Sequence, residues 1–356
     1  MKTLFLKILL AVIETMGLAS WFYTVGQRWM IEPRRPHDGW NAVRFRKRSS
    51  PILTILVAHR VNEAPDPFRG GLAPKLFQAQ LEHLARFYRF YDLQEAVSLL
   101  WRGALPRNAL VLTFDDGYRD NFDYAFPILC SVGVPATIFL TTGPLDDPEH
   151  SILWHDMLFD TFRSAPPQAM ELDGRWFDLA SLTDRQRALF AYRQHLRRFD
   201  ATTWPSRIRE LRKRLGLSPD DIIHGYEKLT WDQVHKMAAQ GITFGAHTVT
   251  HPILTCCAPS TARQEIRASH EALRKALGEE PIAFAYPNGS RKDFNDSVIA
   301  MVRQAGFTCA VSTIAGTNHQ TTDRYALRRI QFPCGTNPRQ NSARLAWLML
   351  NDAVSS

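Results

Sequence analysis

The stretch Ala109-Leu110-Val111-Leu112-Thr113-Phe114-Asp115-Asp116-Gly117 frames the reading of the chain. Its first six residues are apolar or β-branched and stop at a turn pair, the length and composition of a strand buried on both faces. At its carboxyl end stand two adjacent carboxylates. Asp-Gly is a common turn pair, so an ordinary turn is one reading. The other is chemical, because neighbouring carboxylates after a buried strand repel each other unless a cation or a shared proton offsets the repulsion.

Outward from this stretch, strand patterns alternate with helix patterns. Pro51 to Val57 reads as a buried strand ending in Ala58-His59, and Pro74 opens a helix with Leu and Phe at helical spacing. Helices are expected over Asn121 to Val132, Thr230 to Gln240, Thr261 to Leu277 and Asp293 to Gln304. In the third of these Glu265, Arg267, Glu271 and Arg274 are expected to point outward. Strands are expected over Ala136 to Leu140, Ile242 to Gly245, Ile282 to Ala285 and Thr308 to Ser312. Such alternation implies a parallel sheet, open or closed into a barrel, with its chemistry at the carboxyl ends of the strands. It breaks at about 146–229, where Trp154, Trp176, Trp204 and an Arg-rich run suggest an inserted helical cap with no strand.

At 356 residues the chain is long enough for two domains or for one large β/α domain carrying an insertion. Lys and Arg number 43 against 35 Asp and Glu, a formal charge of +8, but the basic residues are mixed with acids and no zinc-finger, RRM or helix-turn-helix pattern occurs, so no nucleic-acid partner is expected. The excess gathers over Arg28 to Arg48 and Arg185 to Arg214, which read as solvated faces or as surfaces for anionic lipid or glycan phosphate. Five cysteines with no CxxC spacing suggest reduced thiols rather than a disulfide framework.

Leu4 to Val25 is mostly apolar but interrupted by Lys7 and Glu14. The segment fits a membrane-surface or half-inserted helix, a spanning helix, or a helix packed on the protein's own core. With the basic residues that follow, it predicts membrane-surface contact through residues 4–48. If the segment spans, the positive-inside rule keeps the rest on the cytoplasmic side of an inner membrane; the periplasmic side is the alternative.

Two further strand ends carry candidate chemistry. Gly245-Ala246-His247-Thr248-Val249-Thr250-His251 places two imidazoles at metal-ligand spacing, and with a carboxylate from another strand end they would form an open metal site. Phe284-Ala285-Tyr286-Pro287-Asn288-Gly289 leads into a turn that can offer an amide N–H or an aromatic wall to a ligand, so Tyr286, Pro287, Asn288 and Gly289 are candidate substrate or oxyanion contacts.

In this order, Thr113-Phe114-Asp115-Asp116-Gly117, His247-Thr248-Val249-Thr250-His251 and Phe284-Ala285-Tyr286-Pro287-Asn288-Gly289 resemble the NodB-like polysaccharide deacetylases, carbohydrate esterase family four. The resemblance covers residues 51–335 apart from the insertion. It implies a distorted (β/α)7 barrel with a divalent metal, usually zinc, that removes an acetyl group from an N-acetylated sugar. Carried over, Asp115 is the general base, Asp116, His247 and His251 are the metal ligands, and Thr248 steadies the histidine loop. Where the family often has an arginine that orients the base, this chain has Ala285, and Arg329 is the candidate replacement. The family's late histidine motif is missing after Gly289. However, Leu56-Val57-Ala58-His59-Arg60-Val61 resembles the first strand of the exopolysaccharide deacetylases, where that motif is permuted to the start of the chain. His59 is therefore the candidate general acid, with His319 as the alternative.

The expected organisation is an N-terminal hydrophobic helix and basic linker over 1–50, the barrel over 51–335 with its insertion at about 146–229, and a C-terminal helix and tail over 336–356. The expected activity is release of acetate from a bacterial surface polysaccharide or its lipid-linked precursor. The alternatives are a deformylase of a lipid-linked amino sugar and an inactive glycan-binding barrel.

Overall fold

The computed structural model describes residues 51–355 apart from 64, 65, 69, 148–151, 220 and 222. The N-terminal segment read as a membrane helix lies outside the described residues. Among those described, no helix is long and apolar enough to cross a membrane.

Strands β1 (Thr54–Ala58), β2 (Arg89–Tyr91), β3 (Ala109–Phe114), β4 (Thr137–Leu140), β7 (Thr243–Ala246), β8 (Ala283–Ala285), β9 (Cys309–Val311) and β10 (Ile330–Gln331) form one parallel sheet. Seven of them run in the order β10-β1-β3-β4-β7-β8-β9, with β2 also pairing β3. The segment before β10 joins the two edges, because Leu327 exchanges backbone hydrogen bonds with Ala310 and Ser312 while Ile330 and Gln331 pair with Leu56 and Val57. The result is the parallel sheet expected from the alternation, curled into the distorted β/α barrel that the resemblance implies.

Alternate residues explain why these strands read as mainly apolar runs. Leu110, Leu112 and Phe114 of β3 pack outward with Phe77, Leu81 and Leu84 of α1 (Pro74–Ala85), whereas Val111 packs inward with Ile55, Phe139 and Val311. Both faces are buried, so the only polar side chain of β3 is Thr113, whose hydroxyl donates to the Leu56 carbonyl at 2.7 Å. Helix α2 (Leu93–Trp101) adds Leu93, Ala96 and Leu100 to the inner set, and its Leu93 N–H donates to Thr137 Oγ1 at the start of β4. It closes the amino-terminal mouth and leaves the carboxyl-terminal rim for chemistry. Helix α3 (Phe126–Val132) follows a five-residue π-helical turn, Asn121–Ala125, over the range expected for one helix.

The insertion is helical but not strand-free. Helices α4 (Trp154–Ser164), α5 (Leu182–Leu196) and α6 (Trp204–Arg214) enclose a separate apolar core of Trp154, Leu158, Phe162, Tyr192, Trp204 and Ile208, joined by Tyr118 and Ile253 from the barrel loops. Between α4 and α5 lies the antiparallel hairpin β5 (Ala169–Leu172) and β6 (Arg175–Asp178). This corrects the expectation of no strand. Asp173 (φ 52°) and Gly174 (φ 77°) are both left-handed at its tip, the backbone that an Asp-Gly hairpin turn requires.

After the insertion come α7 (Trp231–Ala238), α8 (Pro259–Leu277), α9 (Asp296–Gln304) and α10 (Pro338–Ser355). Helix α10 packs on α1, where Asn341 donates to Gln80 at 2.9 Å. All five cysteines are free thiols, and burial pushes that of Cys309 up to about 12.

Candidate active site

Parallel register brings the ends of β1, β3, β7 and β8 to one rim, since Ala58 pairs Phe114 and Ala246 pairs Phe284. The next residues, His59, Asp115 and His247, therefore emerge together. Asp115, Asp116, His247 and His251 are all buried, and with His59 they line one cleft of about 840 Å3.

Asp115 is clamped. Arg329 donates from Nη1 and Nη2 to its two carboxylate oxygens, each at 2.7 Å, and from Nε to the Ser312 carbonyl at 2.8 Å. This is the planar, bidentate recognition that an arginine fork supplies and a lysine does not. Burial alone would raise the Asp115 pKa, but Arg329, then His247 and His59, outweigh it and hold the carboxyl below its ordinary value. Asp115 is thus ionised at neutral pH and fixed in orientation.

Asp116 turns the other way because its backbone is left-handed (φ 71°). Its Oδ1 lies 3.5 Å from His247 Nε2 and 3.3 Å from His251 Nε2. Donors held at about 2.1 Å in a tetrahedral arrangement stand about 3.4 Å apart, so these separations match the edges of a zinc-sized site. His247 Nδ1 lies 2.7 Å from the Ala285 carbonyl, and a proton there leaves the Nε2 lone pair facing Asp116. One carboxylate oxygen and two imidazole nitrogens within 4.8 Å of one another therefore fit a divalent cation. For His247, burial favours the neutral form, but Asp116 and then Asp115 outweigh it and raise its pKa.

The loop that carries both histidines is tightly determined. Gly245 in β7 is required, since a Cβ there would meet the Phe139 ring at 2.5 Å and the Ala283 carbonyl at 2.8 Å. Thr248 (φ 67°) accepts the His251 N–H on its Oγ1 at 3.0 Å, as the resemblance implied for a residue that steadies the loop. Glu265 of α8 does not simply point outward: it accepts the Val249 and Thr250 N–H groups at 2.8 and 2.9 Å, a correction to its expected orientation. Asp116, Thr248, His251 (φ 61°) and Asn288 (φ 59°) account for four of the five left-handed non-glycine residues among those described. Such strain persists only where surrounding contacts enforce it, and it gathers at functional sites.

The third strand end is corrected in part. Tyr286 is fully buried, its N–H donates to Val311, its hydroxyl donates to the Tyr325 carbonyl, and its ring stacks on Phe294 at 4.1 Å, so it offers the cleft neither an aromatic wall nor a donor. Pro287 lacks an N–H, and that of Gly289 is used by the Pro287 carbonyl. Of the four, only Asn288 lines the cleft. His319 is not among the lining residues, whereas His59 is, with its carbonyl held by Asn121 Nδ2 at 2.9 Å. The opposite wall comes from the insertion, through Phe159, Leu189, Phe190, Arg193 and Arg197.

The family model for polysaccharide deacetylases matches residues 102–310. This chain belongs to the polysaccharide deacetylase family. It is accordingly a hydrolase of amide bonds, from a metal-dependent family that releases acetate from N-acetylated polysaccharide. The chain is 21% identical to YxkH of Bacillus subtilis (strain 168), whose name assigns it to the same family, over 285 residues, 80% of this chain and 72% of that one. Its fold is similar to that of the Streptococcus pyogenes deacetylase PplD, solved in complex with acetate (TM-score 0.57, 21% identity, 84% of this chain and 99% of that one). It is also similar to that of IcaB from Ammonifex degensii (TM-score 0.53, 20% identity, 83% and 97%). His59 and Arg329 lie outside the span of the deacetylase family match, so their place in the site comes from the fold.

Proposed function

We propose that this deacetylase removes the N-acetyl group from an amino sugar of a bacterial surface polysaccharide or its lipid-linked precursor. The observation that carries the reading is the pairing of an arginine-clamped carboxylate with a buried Asp-His-His donor set in one cleft. Asp116, His247 and His251 hold the metal, zinc in this reading. When bound, such a cation supplies Lewis acidity toward the acyl oxygen and an acidified water.

The remaining steps belong to the chain's own groups. Asp115, kept ionised by Arg329, takes the water proton as general base. Asn288, at a left-handed turn on the rim, offers its amide to the developing oxyanion. An amine cannot leave an amide unprotonated, and His59, from the neighbouring strand end, donates that proton. The cleft volume lies within the range of small-ligand sites, enough for a short stretch of glycan. Arg193 on its inserted wall supports an anionic or phosphate-bearing substrate, whereas Arg197 beside it is paired with Asp293.

The direct test incubates the zinc-loaded protein with N-acetylated glycans and lipid-linked amino sugars while acetate and formate are assayed. Acetate release supports the reading. Formate from an N-formyl sugar alone would make the chain a deformylase, and neither product would leave a glycan-binding barrel. His59→Ala should slow amide hydrolysis by roughly 10²–10⁴ yet spare an activated ester whose leaving group needs no proton. Equal losses on both substrates would give His59 a structural role.

We further propose that residues 4–48 hold the enzyme at a membrane surface, on the cytoplasmic side. The apolar run and the basic residues after it support this. Deleting residues 1–30 should release the protein from membranes and leave activity on soluble substrates intact, because β1 starts only at Thr54. Each basic residue near an anionic leaflet contributes about 1 kcal/mol, which salt screens. Full-length protein found wholly in the soluble fraction at low salt would end this idea.

A further inference from the structure

The two metal-ligand histidines are held by different parts of the molecule. His247 has a barrel carbonyl at its Nδ1, whereas His251 Nδ1 faces another imidazole, His155 Nδ1, at 3.2 Å. His155 is the second residue of α4, in the insertion, and the residue before it, Trp154, donates its indole N–H to the His251 carbonyl at 2.8 Å. Consecutive residues of the insertion thus grip both the ring and the backbone of one ligand.

We propose that His155 is a positioning residue that fixes the tautomer and ring orientation of His251, so that the inserted segment completes the metal site. The inference rests on the reading of Asp116, His247 and His251 as metal ligands. Of two facing ring nitrogens only one can carry the hydrogen. If His251 Nε2, 3.3 Å from Asp116 Oδ1, presents its lone pair to the cation, its proton sits on Nδ1 and is donated to His155. The His155 proton then sits on Nε2, which faces Tyr118 Oη at 3.3 Å and Asp156 Oδ1 at 3.4 Å.

Those partners are themselves aligned to receive it. Tyr118 donates its hydroxyl proton to Asp156 Oδ1 at 2.6 Å, which leaves its oxygen lone pairs available to His155. Lys228 donates to Asp156 Oδ2 at 2.8 Å, so the carboxylate is charge-paired. Tyr118, His155, Asp156 and Lys228 are all buried. Once the His251 tautomer is set, the donations from His251 through His155 and Tyr118 run one way and end on Asp156, which Lys228 meets from the other side, while Asp116 Oδ2 lies 3.9 Å from His155 Nε2 as a further acceptor. Buried groups that orient a ligand histidine commonly carry about 10–100-fold of metal affinity.

The test measures Zn2+ affinity by chelator competition in the full chain, with unfolding of the metal-free protein followed in parallel. His155→Phe keeps volume but removes the acceptor. His155→Asn restores an acceptor oxygen near the Nδ1 position. The expected result is affinity lowered about 10–100-fold by His155→Phe and largely recovered by His155→Asn, with metal-free stability alike in the two. Equal affinity in wild type and His155→Phe, or equal loss in both variants, overturns the proposal. Should the variants fail to fold, nitrogen-15 NMR of imidazoles in the zinc-loaded wild type decides. A protonated Nδ1 on His251 and an unprotonated Nδ1 on His155 support the proposal, and the reverse overturns it. Wild-type protein that binds no Zn2+ instead refutes the metal reading on which it rests.

Discussion

Asp116→Asn and His247→Ala should each lower Zn2+ affinity by one or more orders of magnitude and abolish most turnover with it, while the fold is retained. The expectation follows from the donor set. Asp116 Oδ1 stands 3.5 and 3.3 Å from the two imidazole nitrogens, so it contributes a shared corner and the only negative charge of the three. Asparagine keeps an oxygen there but removes the charge that offsets the cation, and alanine at 247 leaves two donors, too few to fix an ion. Metal analysis after dialysis against a weak chelator checks both variants, and stoichiometric zinc in both would refute the assignment. The same site predicts a pH dependence. Because Asp116 and Asp115 raise the His247 pKa despite its burial, proton and metal compete for the ring, and affinity in the wild type should fall as pH drops through that raised value.

The neighbouring carboxylate should behave differently. Asp115→Asn is expected to keep stoichiometric zinc but cut turnover by roughly 10²–10⁴, the range for loss of a general base. It carries a second signature, because Arg329 is buried and its two Nη groups end on Asp115. Removing one partner of such a pair leaves an uncompensated charge and costs about 3–5 kcal/mol. The sign with pH follows from the lowered Asp115 pKa. Its stabilising contribution is present above the ordinary carboxylate pKa and is lost as pH falls through the folded value, so the difference in stability between wild type and variant should shrink in acid. Zinc content, kcat and thermal unfolding of one preparation give all three readouts. Near-wild-type turnover would move the base elsewhere.

Much of this arrangement is local and therefore legible in the chain. Ala109 to Phe114 is apolar apart from Thr113, because a parallel strand covered on both faces accepts a polar group only where it is paired, as the Thr113 hydroxyl is with the Leu56 carbonyl at 2.7 Å, and the run coincides with β3 to the residue. The short motifs around Asp115 and His247 fall directly after strands, so the rim of the sheet could be inferred from order alone. Two misreadings also had local signals. Tyr286 lies two residues after Phe284, and period two sends its ring into the same core, 5.4 Å away, rather than toward the cleft. Asp173-Gly174 between Glu171-Leu172 and Arg175-Trp176 marks the hairpin of the insertion.

What the chain pattern could not decide are the contacts made across long sequence separations. Arg329 meets Asp115 from 214 residues away because β10 pairs with β1, itself beside β3, a neighbourhood set by barrel closure and by no local propensity. Glu265 looks like a solvated helix residue until the packing of α8 brings its carboxylate to the N–H groups of the histidine loop. Likewise, nothing in the pattern of α4 distinguishes His155 from an ordinary core histidine. Its partner is chosen by how the insertion's apolar core seats on Tyr118 and Ile253 of the barrel loops. Side-chain periodicity specifies which face of an element is buried, but only the assembled molecule specifies which polar group waits on the other side.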